Sequence, residues 1–285
     1  MKLNYNDRGN FKICQLTDLH LGESPENEED NKTLNALELL FNTNEFDLVI
    51  ITGDLIWSKL SYDPEMTLSP LYKLLNRFSF PVAITYGNHD TQSKWSRFDM
   101  RKLERQLTHP ADKYNSTITG ERENYTLEVY DGKKLANVIY VLDSGAYSNW
   151  KDHDRYASIE PEQIEWYNQL PYSRDENNVD LGFFHIPLPE YKLAAQNIIA
   201  GQRGSETRSP NLNSGFFYSL HRNRNVKALF VGHDHENNFV SQYEGIDLNY
   251  GNVTGYNCDS SLKRGVRIIE LENNLYETSI KTFES

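Results

Sequence analysis

The sequence predicts an α/β fold, and three observations lead to that prediction. Segments with strand patterns and segments with helix patterns alternate through the first hundred residues. Residues 46–52 are nearly all apolar and β-branched at their centre, as in a strand that is covered on both faces. Two later apolar segments, residues 179–184 and 226–231, each run directly into a polar motif. The βαβαβ order at the start implies parallel strands joined by right-handed crossovers.

The first part of this pattern contains three strands and two helices. The strands are predicted at residues 11–17, 46–52 and 81–86, which are short and apolar. The helices are predicted at residues 33–41 and 68–78, because apolar residues recur there at helical spacing.

The middle of the chain predicts a hairpin and a helix. Residues 125–130 and 135–142 have strand patterns, and Asp131-Gly132 joins them with a turn signal. Pro161 opens a helix that ends near residue 170, because proline is favoured at a first helical position. The remaining strands are predicted at residues 179–184, 226–231, 239–243, 266–271 and 275–282.

Two polar stretches fall between these elements. Residues 201–215 predict a long loop, and loops of this length are usually functional or disordered. Arg203, Arg208 and Asn213 could contact an anion there, although a solvated loop is the favoured interpretation. Residues 94–105 predict a basic amphipathic helix, interpreted as an outer helix with a charged face.

Composition excludes several classes of protein. The chain has 285 residues, 29 basic and 41 acidic, so its formal net charge of −12 disfavours extended nucleic-acid binding. Two cysteines, Cys14 and Cys258, exclude a disulfide framework or a zinc ribbon. Neither a signal peptide nor a membrane-spanning segment is visible, which predicts a cytoplasmic protein without membrane contact. No composition break appears, so residues 1–285 are predicted to form one domain.

Five predicted strands run straight into polar side chains of metal-binding type. Ligands of open α/β sheets bind beyond the carboxyl ends of the strands, so these side chains are expected to converge. Five of the eight histidines fall in these segments. The candidate metal ligands are Asp18, His20, Asp54, Asn88, His185, His233 and His235.

The residue types predict transition metals. Imidazole and carboxylate ligands without thiolate fit Mn, Fe or Zn, and argue against a calcium site built from oxygen alone. Seven ligands are too many for one catalytic ion but suit two ions with one bridging carboxylate. Two divalent ions outweigh the charges of Asp18, Asp54 and a hydroxide, so a phosphate is expected to be attracted.

As an ordered set, D-x-H, G-D, G-N-H-D, H and G-H-x-H resemble the calcineurin-like metallophosphoesterase family. The resemblance implies that Asp54 bridges two ions, and that His89 contacts the substrate, stabilising phosphoryl oxygens or protonating the leaving group. It implies that Asp90 orients His89 through a ring N–H hydrogen bond. It assigns Asp18, His20 and His235 to the first ion, and Asn88, His185 and His233 to the second.

The resemblance also implies a fold of four layers, α/β/β/α, in which two mixed sheets lie face to face between helices. The segments FFHIPLPEY and VGHDHEN further resemble those of a branch of the family with plant and fungal members described as phosphatases. The sequence departs from purple acid phosphatases, which use a tyrosine ligand shortly after the G-D motif. Here Asp54 is followed by Leu55, Ile56 and Trp57, so no purple colour is expected.

These residues predict a metal-dependent phosphoesterase in which a metal-bridging hydroxide attacks phosphorus. The substrate is expected to be a small phosphate ester or a phosphoprotein. One alternative is a phosphodiesterase for cyclic nucleotides or other nucleotide diesters. Another is a partner-binding scaffold that has lost catalysis, which is disfavoured because all the ligand positions and His89 are filled. The native metal pair and the oligomeric state are left open by the sequence.

Overall fold

The computed structural model describes residues 1–22, 28–58, 61, 63–92, 94–150, 154–272 and 274–283. Within these ranges the chain forms two β-sheets and six α-helices. The strands are β1 (Leu3–Asn4), β2 (Asn10–Leu16), β3 (Leu48–Thr52), β4 (Val82–Thr85), β5 (Tyr114–Thr119), β6 (Arg122–Asp131), β7 (Lys134–Leu142), β8 (Asp180–Phe183), β9 (Ile198–Ala200), β10 (Val226–Val231), β11 (Val240–Tyr243), β12 (Ile246–Tyr250), β13 (Gly265–Glu272) and β14 (Leu275–Thr282). The helices are α1 (Glu28–Thr43), α2 (Pro64–Leu75), α3 (Arg97–Leu103), α4 (Pro161–Asn168), α5 (Glu190–Ala194) and α6 (Phe216–Asn223).

Both sheets are mixed. The smaller sheet has the strand order β14-β13-β2-β3-β4, in which β2, β3 and β4 are parallel and β13 pairs antiparallel with both β2 and β14. The larger sheet has the order β1-β6-β7-β8-β10-β12-β11-β9, with β5 beside β6. Its centre, β7-β8-β10-β12, is parallel. The expected parallel βαβαβ unit is therefore present in the smaller sheet.

The burial pattern of β3 explains why its sequence is apolar throughout. Leu48 and Ile50 pack between the two sheets, in a cluster that includes Leu127 of β6. Val49 and Ile51 face the other way, into the cluster formed with α1 and α2. Both faces of the strand are thus removed from water, as a strand of a parallel sheet requires.

The layers follow from three apolar clusters. One lies between the sheets, one lies between the smaller sheet and helices α1 to α3, and one lies between the larger sheet and helices α4 to α6. Phe216 of α6 and Tyr191 of α5 belong to the last cluster. The four-layer α/β/β/α sandwich expected from the resemblance is confirmed.

Most predicted elements are present with shifted ends. Helix α1 begins at Glu28, before the predicted start at residue 33. The prediction missed this turn because its residues are acidic and do not show apolar helical spacing. Negative charge at that end is favourable because it lies near the positive end of the helix dipole. The hairpin of β6 and β7 is confirmed, with Asp131 paired to Lys134 across the turn. Elements β1, β5, β9, β12, α5 and α6 were not predicted.

The predicted outer helix at residues 94–105 needs a correction. Helix α3 spans only seven residues, and its first residue, Arg97, is buried. The Arg97 Nε atom lies 3.0 Å from Asp143 Oδ2, and Nη1 donates to the carbonyl of Gly87 at 2.7 Å. This helix therefore supports the loop after β4, which carries a candidate ligand, Asn88.

Candidate metal centre

The candidate ligands converge where five strands end. Asp18 and His20 follow β2, Asp54 follows β3, and the remaining ligands follow β4, β8 and β10, so both sheets contribute. Ligand atoms of six of the seven candidate residues fall into two groups, in each of which one atom per residue lies within 4.8 Å of the others. The groups are Asp18, His20, Asp54 and His235, and Asp54, His185 and His233.

Asp54 belongs to both groups because of the position of one oxygen. Its Oδ2 atom lies 3.5 Å from His20 Nε2 and 3.1 Å from His185 Nε2. The side chain is completely buried, and Oδ2 has no hydrogen-bond partner among the described residues. The other oxygen, Oδ1, accepts from the backbone N–H of His89 at 2.7 Å. One oxygen is therefore fixed by the backbone, and the other faces both histidine groups.

Backbone strain is concentrated at this centre. Asp18, His20, Asp54 and His233 all have positive φ, at 54°, 47°, 51° and 78°. Such conformations cost L-residues about 1–2 kcal/mol each, and they persist at functional sites where the surroundings enforce them. The two oxygens of Asp18 accept from the backbone N–H of His233 at 3.1 and 3.0 Å, which ties the loop after β10 to the loop after β2.

Several buried polar atoms of the centre have no partner among the described residues. They are both ring nitrogens of His20 and of His233, His185 Nε2, Asn88 Oδ1 and Asp54 Oδ2. Buried polar atoms are nearly always hydrogen-bonded, so a set of unpartnered nitrogen and oxygen atoms in one place points to a ligand. The set combines imidazole nitrogen with carboxylate and amide oxygen, which fits Mn, Fe or Zn.

His185 is oriented for metal binding by the backbone. Its Nδ1 atom lies 2.9 Å from the carbonyl oxygen of Thr52. A proton on Nδ1 would be donated to that carbonyl, which leaves the Nε2 lone pair directed toward Asp54. Metal-bound histidines commonly hold their other ring nitrogen in this way.

Burial and neighbouring charges together shift the pKa values of the side chains in this centre. Burial raises the pKa of the Asp54 carboxyl, but His185 and His20 outweigh it and hold that pKa well below its usual value. Burial lowers the pKa of His185, yet the Asp54 carboxylate raises it to about 9. Burial, together with His185, lowers the pKa of His233 well below its usual value. Imidazoles must be neutral to bind an ion, so metal affinity should fall in acid.

His89 lies beside the two groups and not within them. Its ring centroid is 5.0 Å from that of His20 and 5.5 Å from that of Trp57, and the residue is partly exposed. Burial lowers the pKa of its imidazole. The Nδ1 atom is 2.9 Å from Gln92 Oε1. This position leaves His89 free to contact a substrate.

The predicted hydrogen bond between Asp90 and the ring of His89 is wrong. Its carboxylate accepts four backbone N–H groups, those of Gly87, Asp54, Leu55 and Ile56, at 2.7 to 3.1 Å. The ring of His89 bonds to Gln92 instead. Asp90 therefore shapes the turn that presents Asp54, and among the described residues it forms no hydrogen bond with the His89 ring.

Asp234 lies outside both groups and is buried. It accepts from the hydroxyl of Tyr250 at 2.7 Å and from the backbone N–H of Arg208 at 3.1 Å. The long loop that contains Arg208 is thus attached to the centre's edge. Asn213 in the same loop donates to Glu190 Oε1 at 2.6 Å, so its amide is held by the protein.

Three contributors to the centre lacked a sequence signal. Gln92 and Tyr147 bond to His89 and Asn88 respectively, and Cys258 forms a third close group with His20 and His235. The Cys258 thiol also donates to the backbone carbonyl of Asp18 at 3.0 Å. These residues lie outside the ordered motif set, so only the three-dimensional arrangement identifies them.

Replacing Gly87 with alanine is expected to damage the centre. A Cβ atom there would lie 2.2 Å from Asp54 Oδ1 and 2.6 Å from the Asp54 backbone nitrogen. Overpacking of this kind costs about 1–3 kcal/mol, and relief would require Asp54 to move. Metal content should fall in the variant. Gly132→Ala is the control, because its Cβ meets nothing within 4 Å and the strain from its positive φ of 59° falls in the turn between β6 and β7. Equal metal content in the two variants would contradict this account.

Comparisons with known proteins agree with this geometry. A family model described as calcineurin-like phosphoesterase matches residues 11–237. The chain therefore belongs to the calcineurin-like phosphoesterase family. No helix within the described part of the chain combines the length and apolarity needed to cross a membrane.

Two curated relatives cover nearly all of the chain. A protein named "Probable inactive purple acid phosphatase 14" of Arabidopsis thaliana is 28% identical over 96% of this chain and 79% of its own length. "Phosphatase DCR2" of Saccharomyces cerevisiae is 28% identical over 99% of this chain and 55% of its own length. These names describe the relatives, and one of them states inactivity.

Solved structures share the fold. A dimetal phosphatase from Danio rerio superposes with a TM-score of 0.69 at 12% identity, over 96% of both chains. GAP50, titled as the anchor in the inner membrane complex of Plasmodium, superposes with a TM-score of 0.61 at 12% identity, over 97% of this chain and 85% of that one. At these identities the likeness shows the fold alone.

Proposed function

We propose that this protein hydrolyses phosphate esters with two transition-metal ions. The observation that carries the proposal is the position of Asp54 Oδ2, which is buried, lacks a hydrogen-bond partner among the described residues and faces both His20 and His185. One carboxylate oxygen between two ligand groups suits a pair of ions about 3.5–4 Å apart.

Seven residues would hold the ions. We assign one ion to Asp18, His20 and His235 and the other to Asn88, His185 and His233, with Asp54 shared. When bound, such ions stabilise negative charge on phosphoryl oxygens and lower the pKa of water, so that hydroxide forms near neutral pH. The ligands set where this charge lies, because their backbone is fixed by hydrogen bonds such as those from His233 N–H to Asp18.

His89 is proposed to act on the substrate. Its ring stands beside His20 without joining either ligand group, so its Nε2 can face a phosphate ester. There it would stabilise the phosphoryl oxygens or donate a proton to the leaving oxygen as the P–O bond breaks. The reaction needs no covalent bond between the protein and phosphorus.

The names of some relatives raise the rival that the chain is an inactive scaffold. A metal enzyme that has lost its activity is expected to lack one or more metal ligands or the substrate-facing histidine. Here every one of the seven ligand positions and His89 is filled, and the buried acceptors remain without partners among the described residues. This combination supports catalysis over a purely structural role.

The test is hydrolysis of p-nitrophenyl phosphate and bis-p-nitrophenyl phosphate by protein loaded with Mn, Fe or Zn. We expect about two ions per chain, the number set by a shared carboxylate, and metal-dependent turnover of at least one ester. The ratio of the two rates separates a phosphomonoesterase from a phosphodiesterase. Metal-loaded protein that is inert to both esters and to a broad ester panel would refute the proposal. Metal content near zero after reconstitution would support the scaffold.

A further inference from the structure

A closed hydrogen-bond network joins His89 to the candidate ligand Asn88. Gln92 Oε1 lies 2.9 Å from His89 Nδ1, and Gln92 Nε2 donates to the hydroxyl of Tyr147 at 2.6 Å. The same hydroxyl accepts from Asn88 Nδ2 at 3.3 Å. Asn88 and His89 are neighbours in the chain, so the network returns to its starting point.

The position of Gln92 is itself fixed by Ser58. The Ser58 hydroxyl donates to the backbone carbonyl of His89 at 2.5 Å and accepts from the backbone N–H of Gln92 at 2.8 Å. One hydroxyl thus sets the distance between the His89 backbone and the Gln92 backbone. From this position the Gln92 amide oxygen lies within hydrogen-bond distance of the His89 ring.

Each hydrogen bond of the network determines which atom of His89 or Asn88 faces the proposed substrate or ion. An acceptor at Nδ1 of His89 favours a proton on that nitrogen and directs Nε2 toward the ester. A hydroxyl that takes the Asn88 amide hydrogen directs Asn88 Oδ1, which has no partner among the described residues, toward the second ion. Polar partners behind a functional group control its orientation in this way.

The ring of Tyr147 is also held in place. It stacks on Tyr156, with ring centroids 6.0 Å apart and planes inclined by 24°. Tyr156 in turn meets His233 edge to face, at 4.5 Å between centroids. The hydroxyl that joins Gln92 and Asn88 therefore belongs to an exposed side chain whose ring stacks on one neighbouring ring.

We propose that Gln92 and Tyr147 are positioning residues, and that Gln92 replaces Asp90 as the partner that orients His89 for proton donation to the leaving group. This inference rests on the proposed function. In the step concerned, a hydroxide oxygen forms a bond to phosphorus as the P–O bond to the leaving group breaks. The His89 ring carries a proton on both nitrogens before the step; the Nε2 proton moves to the departing oxygen, and the Nδ1 proton stays on the bond to Gln92 Oε1. The water that supplies the next hydroxide returns a proton to Nε2. Tyr147 acts through Asn88 and Gln92 and touches neither ion.

The test compares leaving groups. We expect Gln92→Ala to lower kcat for phenyl phosphate by about 10²-fold, the cost of misplacing a reacting group by about 1 Å. The loss for p-nitrophenyl phosphate should be smaller, since p-nitrophenolate leaves without protonation. Gln92→Glu keeps an acceptor facing His89 Nδ1, so it should recover most of the phenyl phosphate rate. A purely structural defect would slow both esters equally and would not be recovered.

Tyr147→Phe provides a readout independent of turnover. It removes the acceptor for Asn88 Nδ2, so affinity for the second ion should fall by about 10–100-fold in competition with a chelating indicator. The control is Gln242→Ala, because Gln242 is exposed and bonds to Asp247 on the far hairpin.

Three outcomes would overturn the proposal: equal losses on both esters, no recovery in Gln92→Glu, or unchanged metal affinity in Tyr147→Phe. Wild-type protein inert to both monoesters, to bis-p-nitrophenyl phosphate and to a broad ester panel would refute the proposed function instead. The metal affinity of Tyr147→Phe would then decide the role of Tyr147 alone.

Discussion

Replacing Asp54 with asparagine is expected to remove both ions and to lower ester hydrolysis by about 10³-fold or more, the upper range for loss of one preorganised electrostatic group. Asparagine keeps the shape of the side chain but removes the charge of the oxygen that faces His20 and His185. The loss of metal affinity should exceed the roughly 10–100-fold effect of losing an outer partner of a ligand. Metal content by elemental analysis and turnover of p-nitrophenyl phosphate measure the two effects.

The matched control is Asp234→Asn. Asp234 is also a buried aspartate, and it lies between two candidate ligands in the sequence, yet its hydrogen bonds go to Tyr250 and the backbone of Arg208. This variant should retain both ions. If Asp54→Asn kept two ions per chain, or if Asp234→Asn lost them equally, Asp54 would not be the shared ligand.

Replacing His89 with alanine is expected to reduce turnover by about 10²–10⁴-fold, the usual contribution of a general acid. Metal content should be unchanged, because His89 lies outside both ligand groups. The backbone N–H that fixes Asp54 Oδ1 belongs to the same residue and survives the substitution. Turnover measured at saturating metal, together with metal content, separates these effects.

The control for His89 is His221→Ala, in which an exposed histidine on α6 is removed. It should leave both turnover and metal content as in the wild-type protein. Loss of ions from His89→Ala would show that His89 is a ligand or that the loop after β4 collapses. Full activity in His89→Ala would exclude a role for it in the reaction.

The sequence predicted the fold best where local patterns and tertiary packing agree. The strands β2, β3, β4, β8 and β10 are buried on both faces, so their apolar runs were recognisable. All three residues of strand β9 are exposed, and β5 is largely exposed. Neither strand therefore has a buried face that would produce an alternating apolar pattern in the sequence. The division of the strands into two sheets came from the family resemblance, because the spacing of apolar residues does not show which distant strands pair.

The candidate ligands were predictable because each follows a strand end directly, and strand ends of both sheets meet at one edge. The partner of His89 was not predictable in the same way. Asp90 is adjacent in sequence and chemically suited to orient a histidine, but its carboxylate is occupied by four backbone N–H groups. Tyr147 reaches Asn88 from a loop 59 positions away. Asn88 follows a strand of the smaller sheet and Tyr147 follows a strand of the larger one, so the contact depends on how the two sheets pack together.

The most direct test of the central claim is an anomalous-scattering map of metal-loaded protein, collected at the absorption edge of the added metal. Two peaks about 3.5–4 Å apart, one on each side of Asp54 Oδ2, are the predicted result. The first peak should be bounded by Asp18, His20 and His235, and the second by Asn88, His185 and His233. A single peak, or two peaks of which either lies away from Asp54, would contradict a centre built on one shared carboxylate.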